Sequence, residues 1–140
     1  MVEINVVYAG DLRCVATHQP SGVSLQTDAP VDNMGRGESF SPTDLLATAL
    51  ATCILTTMAI VARRHGIELT GAKAQVVKGM VSQPARRVGQ LTVVITLPID
   101  LPADRRESLE AAGRNCPVYK SLHPDIELPL RFDWGVAVHQ

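Results

Sequence analysis

SPTDLLATALATCILTTMAIVARRHG, Ser41 to Gly66, contains an 18-residue run without a charge, Leu45 to Ala62. Ser41 reads as an N-cap. Pro42 suits the first helical position, because its missing N–H would have no partner there anyway. Asp44, three residues after Ser41, imitates a capping box and favours the positive helix end. Arg63, Arg64 and His65 suit the negative end, and Gly66 suits the exit. One helix is predicted from Pro42 to about His65. Its uncharged run touches the lower limit for crossing a bilayer. Against that reading, it holds four Thr and five Ala and has no aromatic belt. A helix that is apolar all round can instead be a buried core helix, and no membrane is expected.

The flanks are β-like. Ile4, Val6 and Tyr8 alternate with Glu3, Asn5 and Val7. Leu12 to His18 is a second strand, and Val23 to Asp28 a third with the same period of two. Residues 29–40, APVDNMGRGESF, read as a loop. Beyond the helix, Leu69 to Met80 and Gln90 to Ile99 are strands joined by a turn near Ser82-Gln83-Pro84. Pro102 to Gly113 is a shorter helix, Cys116-Pro117 begins another helical turn, and residues 126–134 are a last strand. The order βββ-α-ββ-α-β around one apolar helix implies an α+β fold, a single domain over residues 1–140. A helix longer than roughly 30 Å, at about 1.5 Å per residue, is hard to bury in so small a monomer. Ala47, Ala51, Leu55 and Ala59, near one face at spacing four, would admit a second copy closely, so a homodimer is expected.

Composition narrows the function. Of 140 residues, 46% are apolar and 19% charged, an ordinary globular balance. A net charge of -1 and 4% aromatics disfavour a nucleic-acid surface. Three cysteines make no disulfide framework, and the start lacks a secretory pattern, so the cytoplasm is the expected compartment. There a useful cysteine is catalytic, metal-binding or buried. Cys14 sits mid-strand and reads as structural. Cys53 lies in the middle of the long helix, where a free cysteine often only fills space. Cys116 precedes Pro117 at a helix start, where the dipole and free N–H groups favour a thiolate.

SPTDLLATALATC (41–53) followed by CPVYKSL (116–122) resembles the OsmC/Ohr family, the osmotically inducible and organic-hydroperoxide-resistance proteins. In that family a proline-capped helix carries one cysteine about eleven residues after the proline, and a second cysteine opens a later short helix. The resemblance covers nearly the whole chain. It implies an intertwined homodimer and a thiol peroxidase with no metal or cofactor. Cys53 would be the peroxidatic cysteine and Cys116 the resolving one. An organic hydroperoxide would oxidise Cys53 to a sulfenic acid, which condenses with Cys116 to a disulfide. An external dithiol would then reopen it.

The resemblance also implies an arginine that activates the peroxidatic thiol and a glutamate that holds it. The glutamate's position, ten before Cys53, is Thr43. Asp44 and Glu38 are the substitutes, and Arg13 and Arg36 are the candidate arginines. His18, His65, His123 and His139 are too scattered for a metal motif, although His18 and His123 could line a pocket, as could Tyr119 and Phe40. The Thr48, Thr52, Thr56 row reads as packing, its hydroxyls bonded to the preceding turn. Two other function classes stay in view. One is a dimeric redox-sensing or small-ligand-binding protein with little turnover. The other is a cysteine hydrolase or acyltransferase, for which Cys53 lacks an evident histidine base.

Overall fold

The computed structural model describes residues 1–137; His139 lies outside them. The elements are β1 (Ile4–Gly10), β2 (Arg13–His18), β3 (Ser24–Gln26), α1 (Pro42–Arg64), β4 (Lys73–Val81), β5 (Arg87–Leu97), α2 (Ala103–Arg114), α3 (Pro117–Ser121) and β6 (Leu130–Trp134). The fold is α+β in the expected order, with the turn after Cys116 counted as a helix of its own. The chain forms two compact units, Met1–Leu46 and the residues from Ala47 onward.

In the first unit β1, β2 and β3 form an antiparallel sheet. Asp11 and Leu12 both take positive φ, the type I′ geometry that matches strand twist. Ile4, Val6 and Tyr8 share one face and lie opposite His18, Ala16 and Cys14. Leu25 lies opposite Ala16 from the other side. This face is apolar yet open: Ile4, Val6 and Tyr8 are 58%, 61% and 63% exposed. The third strand stops at Gln26, short of Asp28, because the Asp28 N–H goes to the Phe40 carbonyl (3.0 Å) rather than to β2.

Helix α1 begins as its sequence dictates. The Asp44 N–H donates to Ser41 Oγ (3.1 Å) and the Ser41 N–H donates to Asp44 Oδ2 (2.9 Å), a reciprocal capping box with Asp in place of Glu. At the far end Gly66 has φ +70°, with Ile67 N–H bonded to Ala62 O and Gly66 N–H to Arg63 O. That is a Schellman stop, and it ends the helix at Arg64. By length and apolar content α1 could cross a bilayer, with a mean hydropathy of 2.2. Its stripe Leu50, Ile54, Met58 and Ala62 is nonetheless fully buried within this chain.

As expected for so long a helix in a small chain, the chain's own elements cover one flank of α1 only. The proposed small-residue stripe splits, with Ala47 and Ala51 buried but Ala59 exposed. Thr52, Thr56, Ala59, Ile60 and Arg63 form the open flank.

In the second unit β5 is the middle strand, antiparallel to β4 and parallel to β6. Its alternate residues Leu91, Val93, Ile95 and Leu97 are at most 2% exposed. Each such side chain contributes about 1.5–3 kcal/mol on burial. β4 starts at Lys73, later than Leu69, because Glu68 Oε1 accepts from the Thr70 N–H and hydroxyl and closes a turn there. β6 starts at Leu130 rather than residue 126, with Glu127 making one isolated bridge to Gln90. α2 approaches α1 through Gly113, where an added Cβ would meet Ile54 Cγ2 at 3.2 Å and Met58 at 3.3 Å. Trp134 Nε1 donates to Glu110 Oε1 (3.0 Å) and Arg114 sits over the Phe132 ring (5.3 Å), which pins α2 to β6.

Candidate functional site

The close α2–α1 approach at Gly113 carries Cys116, three residues on, to Cys53. The two side chains share a hydrogen bond. Cys53 neighbours the buried Ile54 on α1 and is half-buried; Cys116 is fully buried. Both are free thiols. The expectation that the start of a helix would favour a Cys116 thiolate is corrected. Cys116 does cap α3, with the Tyr119 N–H 3.4 Å from its Sγ. Burial outweighs that bond and pushes the thiol above its ordinary value, and the hydrogen bond with Cys53 raises it further.

The sign has a consequence for stability. The folded chain holds the Cys116 proton more tightly than the unfolded one. The reduced protein therefore loses stability as pH rises past the free-cysteine value of about 8.5 toward the folded pKa. In the double variant Cys14→Ser/Cys53→Ser, burial remains. Ultraviolet thiolate titration of Cys116 is expected to give a midpoint above about 8.5; a midpoint at or below it refutes this.

The first unit holds the charged cluster. Arg13, at the start of β2, donates through Nη2 to Glu38 Oε2 (2.7 Å) and lies 3.5 Å from Asp28 Oδ2. The Glu38 bond is the main cause that holds the Arg13 guanidinium in its charged form. Arg36 is exposed and has no ion pair among the described residues. Asp44 lies in the helix cap instead. Of the sequence candidates, Arg13 and Glu38 are thus brought together, and Arg36 and Asp44 stand apart from that pair.

Loop geometry delivers Glu38 across 25 positions of sequence. The Glu38 N–H donates to Asp28 Oδ2 (3.1 Å), Gly37 N–H to Ala29 O (3.3 Å), and Ser39 Oγ to Gln26 O (2.7 Å). Gly35 is required, since a Cβ there would lie 1.7 Å from Ala29 O. Asp28, at the neck, is 1% exposed, and its Oδ1 is without a partner among the described residues. Sequence reasoning did not single out Asp28; its only signal was a carboxylate between a strand and a glycine-rich loop.

The other candidates lie elsewhere. His18 Nδ1, at the exposed end of β2, pairs with Ser21 Oγ (2.6 Å), and His123 Nδ1, exposed after α3, accepts from the Asp125 N–H (3.1 Å). His65 Nδ1 faces Arg105 Nη1 at 2.8 Å, and since arginine only donates, His65 accepts. Phe40 is 53% exposed. On the open flank of α1, Thr56, Ala59, Ile60, Arg63 and Arg64 line a groove of about 470 Å³.

The sequence profile of the family described as OsmC-like protein matches residues 35–131. No curated protein matches the chain. A solved structure from Psychrobacter arcticus 273-4, named for an osmotic stress induced and detoxification response, is 45% identical. The match covers 94% of this chain and 96% of that one, with a TM-score of 0.89. Two others share the fold at low identity. An organic hydroperoxide resistance protein OsmC from Legionella pneumophila is 15% identical, with 95% and 96% of the two chains covered and a TM-score of 0.76. The organic hydroperoxide resistance protein OhrB of Bacillus subtilis is 18% identical, with 94% and 97% covered and a TM-score of 0.66.

Proposed function

This chain belongs to the OsmC-like protein family, and on that premise we propose that it is a thiol-dependent peroxidase that reduces organic hydroperoxides. The observation that carries the reading is the thiol pair: a half-buried Cys53 set beside a fully buried Cys116, brought there by the close approach of α2 to α1 at Gly113. The names of the Legionella and Bacillus relatives support the substrate class.

In the proposed cycle the Cys53 thiolate attacks one oxygen of ROOH. The S–O bond forms, the O–O bond breaks, and the alkoxide takes a proton and leaves as alcohol. The Cys116 thiol then attacks the sulfenic sulfur, forming the disulfide and releasing water. An external dithiol reduces that disulfide by exchange. Arg13, held by Glu38, is assigned the role of the cation that favours the Cys53 thiolate. We also assign a homodimer in the cytoplasm. The open apolar face of the first sheet and the open flank of α1 are the surfaces a second copy would bury, and light scattering reads the mass directly.

Reduced protein is mixed with cumene hydroperoxide in a stopped-flow cell, followed by thiol counting and disulfide mapping. Rapid joint loss of the Cys53 and Cys116 thiols into one bond is expected. Oxidation no faster than that of a free thiol overturns the reading. It would favour the second one, a redox-sensing or ligand-binding protein with little turnover. One observation speaks for that alternative: Arg13 faces two carboxylates, so its cluster carries no net positive charge.

A further inference from the structure

Mid-helix threonines usually return their hydroxyl to the carbonyl one turn back. Thr52 does so, with Oγ1 2.8 Å from Thr48 O and 3.2 Å from Ala49 O. Thr57 does not. The carbonyl one turn back from it belongs to Cys53, yet its Oγ1 lies 4.0 Å from Cys53 Sγ and has no other hydrogen-bond partner among the described residues. Thr57 is half-buried, so this hydroxyl is only partly accessible to water. A hydroxyl has one proton to donate, and a thiolate is a better acceptor than a thiol. The 4.0 Å separation is at the outer limit for sulfur, and contacts of this kind tighten when the reacting species is present.

We propose that Thr57 is a catalytic residue of the Cys53 site, donating its hydroxyl hydrogen bond to the Cys53 thiolate and then to the oxygen that Cys53 attacks. The inference rests on the peroxidase reading for its second half only. In the resting state Thr57 and Cys116 both lie against the same sulfur, one from the next turn of α1 and one from the start of α3. A hydroxyl turned toward that sulfur has the thiolate as its acceptor. During attack the Sγ lone pair forms the S–O bond and the O–O pair departs with the alkoxide. The Thr57 O–H turns from the sulfur to the oxygen that becomes the sulfenic hydroxyl. No proton is consumed at Thr57; the alkoxide takes its proton from water.

The test uses Thr57→Val, which keeps the branched shape, and Thr57→Ser, which keeps the hydroxyl. Thr52→Val serves as control, since that hydroxyl is bonded to backbone. Two readouts are taken on full-length reduced protein: the rate of Cys53 oxidation by cumene hydroperoxide, and the pH midpoint of Cys53 alkylation by iodoacetamide. Thr57→Val is expected to slow oxidation on the order of tenfold and to raise the alkylation midpoint. Thr57→Ser should restore both, and Thr52→Val should change neither. Wild-type values for Thr57→Val in both readouts overturn the proposal, as does a loss that Thr57→Ser fails to rescue. If wild-type protein proves slow with peroxide, the peroxidase reading fails by itself, while the alkylation midpoint still tests whether Thr57 bonds the sulfur.

Discussion

Cys53→Ser is expected to lower hydroperoxide consumption by about 10³-fold or more, to the background of protein without a nucleophile. A serine hydroxyl stays protonated at neutral pH, and its oxygen cannot accept oxidation as sulfur does. Neither remaining cysteine substitutes. Cys116 is fully buried and holds its proton above the ordinary thiol range. Cys14 lies in the first unit, its backbone tied to Thr27 on both sides. Cys14→Ser should leave the rate unchanged. Consumption of cumene hydroperoxide, followed with a dithiol in excess, is the measurement; a Cys53→Ser protein that retains a tenth of the rate would remove Cys53 from the mechanism.

Arg13→Gln carries the second large effect. Loss of a cation that favours a thiolate shifts a thiol by about one to three pKa units. Loss of one stabilising group at a reacting centre costs about 10²–10³ in rate. A fall of about 10² is therefore expected, together with a Cys53 alkylation midpoint moved to higher pH. Arg36→Gln is the matched control, because Arg36 is exposed and unpaired among the described residues. Equal effects from the two substitutions would show that general positive charge, rather than the Arg13–Glu38 pair, is what matters. No effect from Arg13→Gln would remove Arg13 from the Cys53 site.

What the sequence disclosed, it disclosed where the signals are local. The α1 cap is written in Ser41 and Asp44, three residues apart, and its stop in Gly66. β5 shows its buried side through Leu91, Val93, Ile95 and Leu97 at period two. The boundaries that moved did so through bonds that no periodicity encodes. The Glu68–Thr70 turn delays β4, and the Asp28–Phe40 bond cuts β3 short. At the site, Cys53 and Cys116 were legible through their spacing from Pro42 and their neighbour Pro117. The meeting of Arg13 with Glu38 was not, because it depends on loop closure at Asp28 and on a glycine at position 35. Thr57 was hidden among equals. Five threonines share the helix, and only the partner of each hydroxyl separates Thr52, bonded to backbone, from Thr57, set against sulfur.

Under the proposed cycle, burial of Cys116 would also govern how the oxidised protein is taken apart. In a Cys53–Cys116 bond, the sulfur an incoming thiolate reaches first is that of Cys53, so Cys116 must depart. Thiols of low pKa depart quickly and those of high pKa slowly, and Cys116 is of the second kind. The resulting mixed disulfide on Cys53 stands beside a thiol positioned to expel the newcomer and re-form the bond. A reductant with a single thiol is thrown back at each attempt. A reductant carrying two can close its own ring before Cys116 returns, so under the proposed cycle the recycling partner would be selected by the number of its sulfurs.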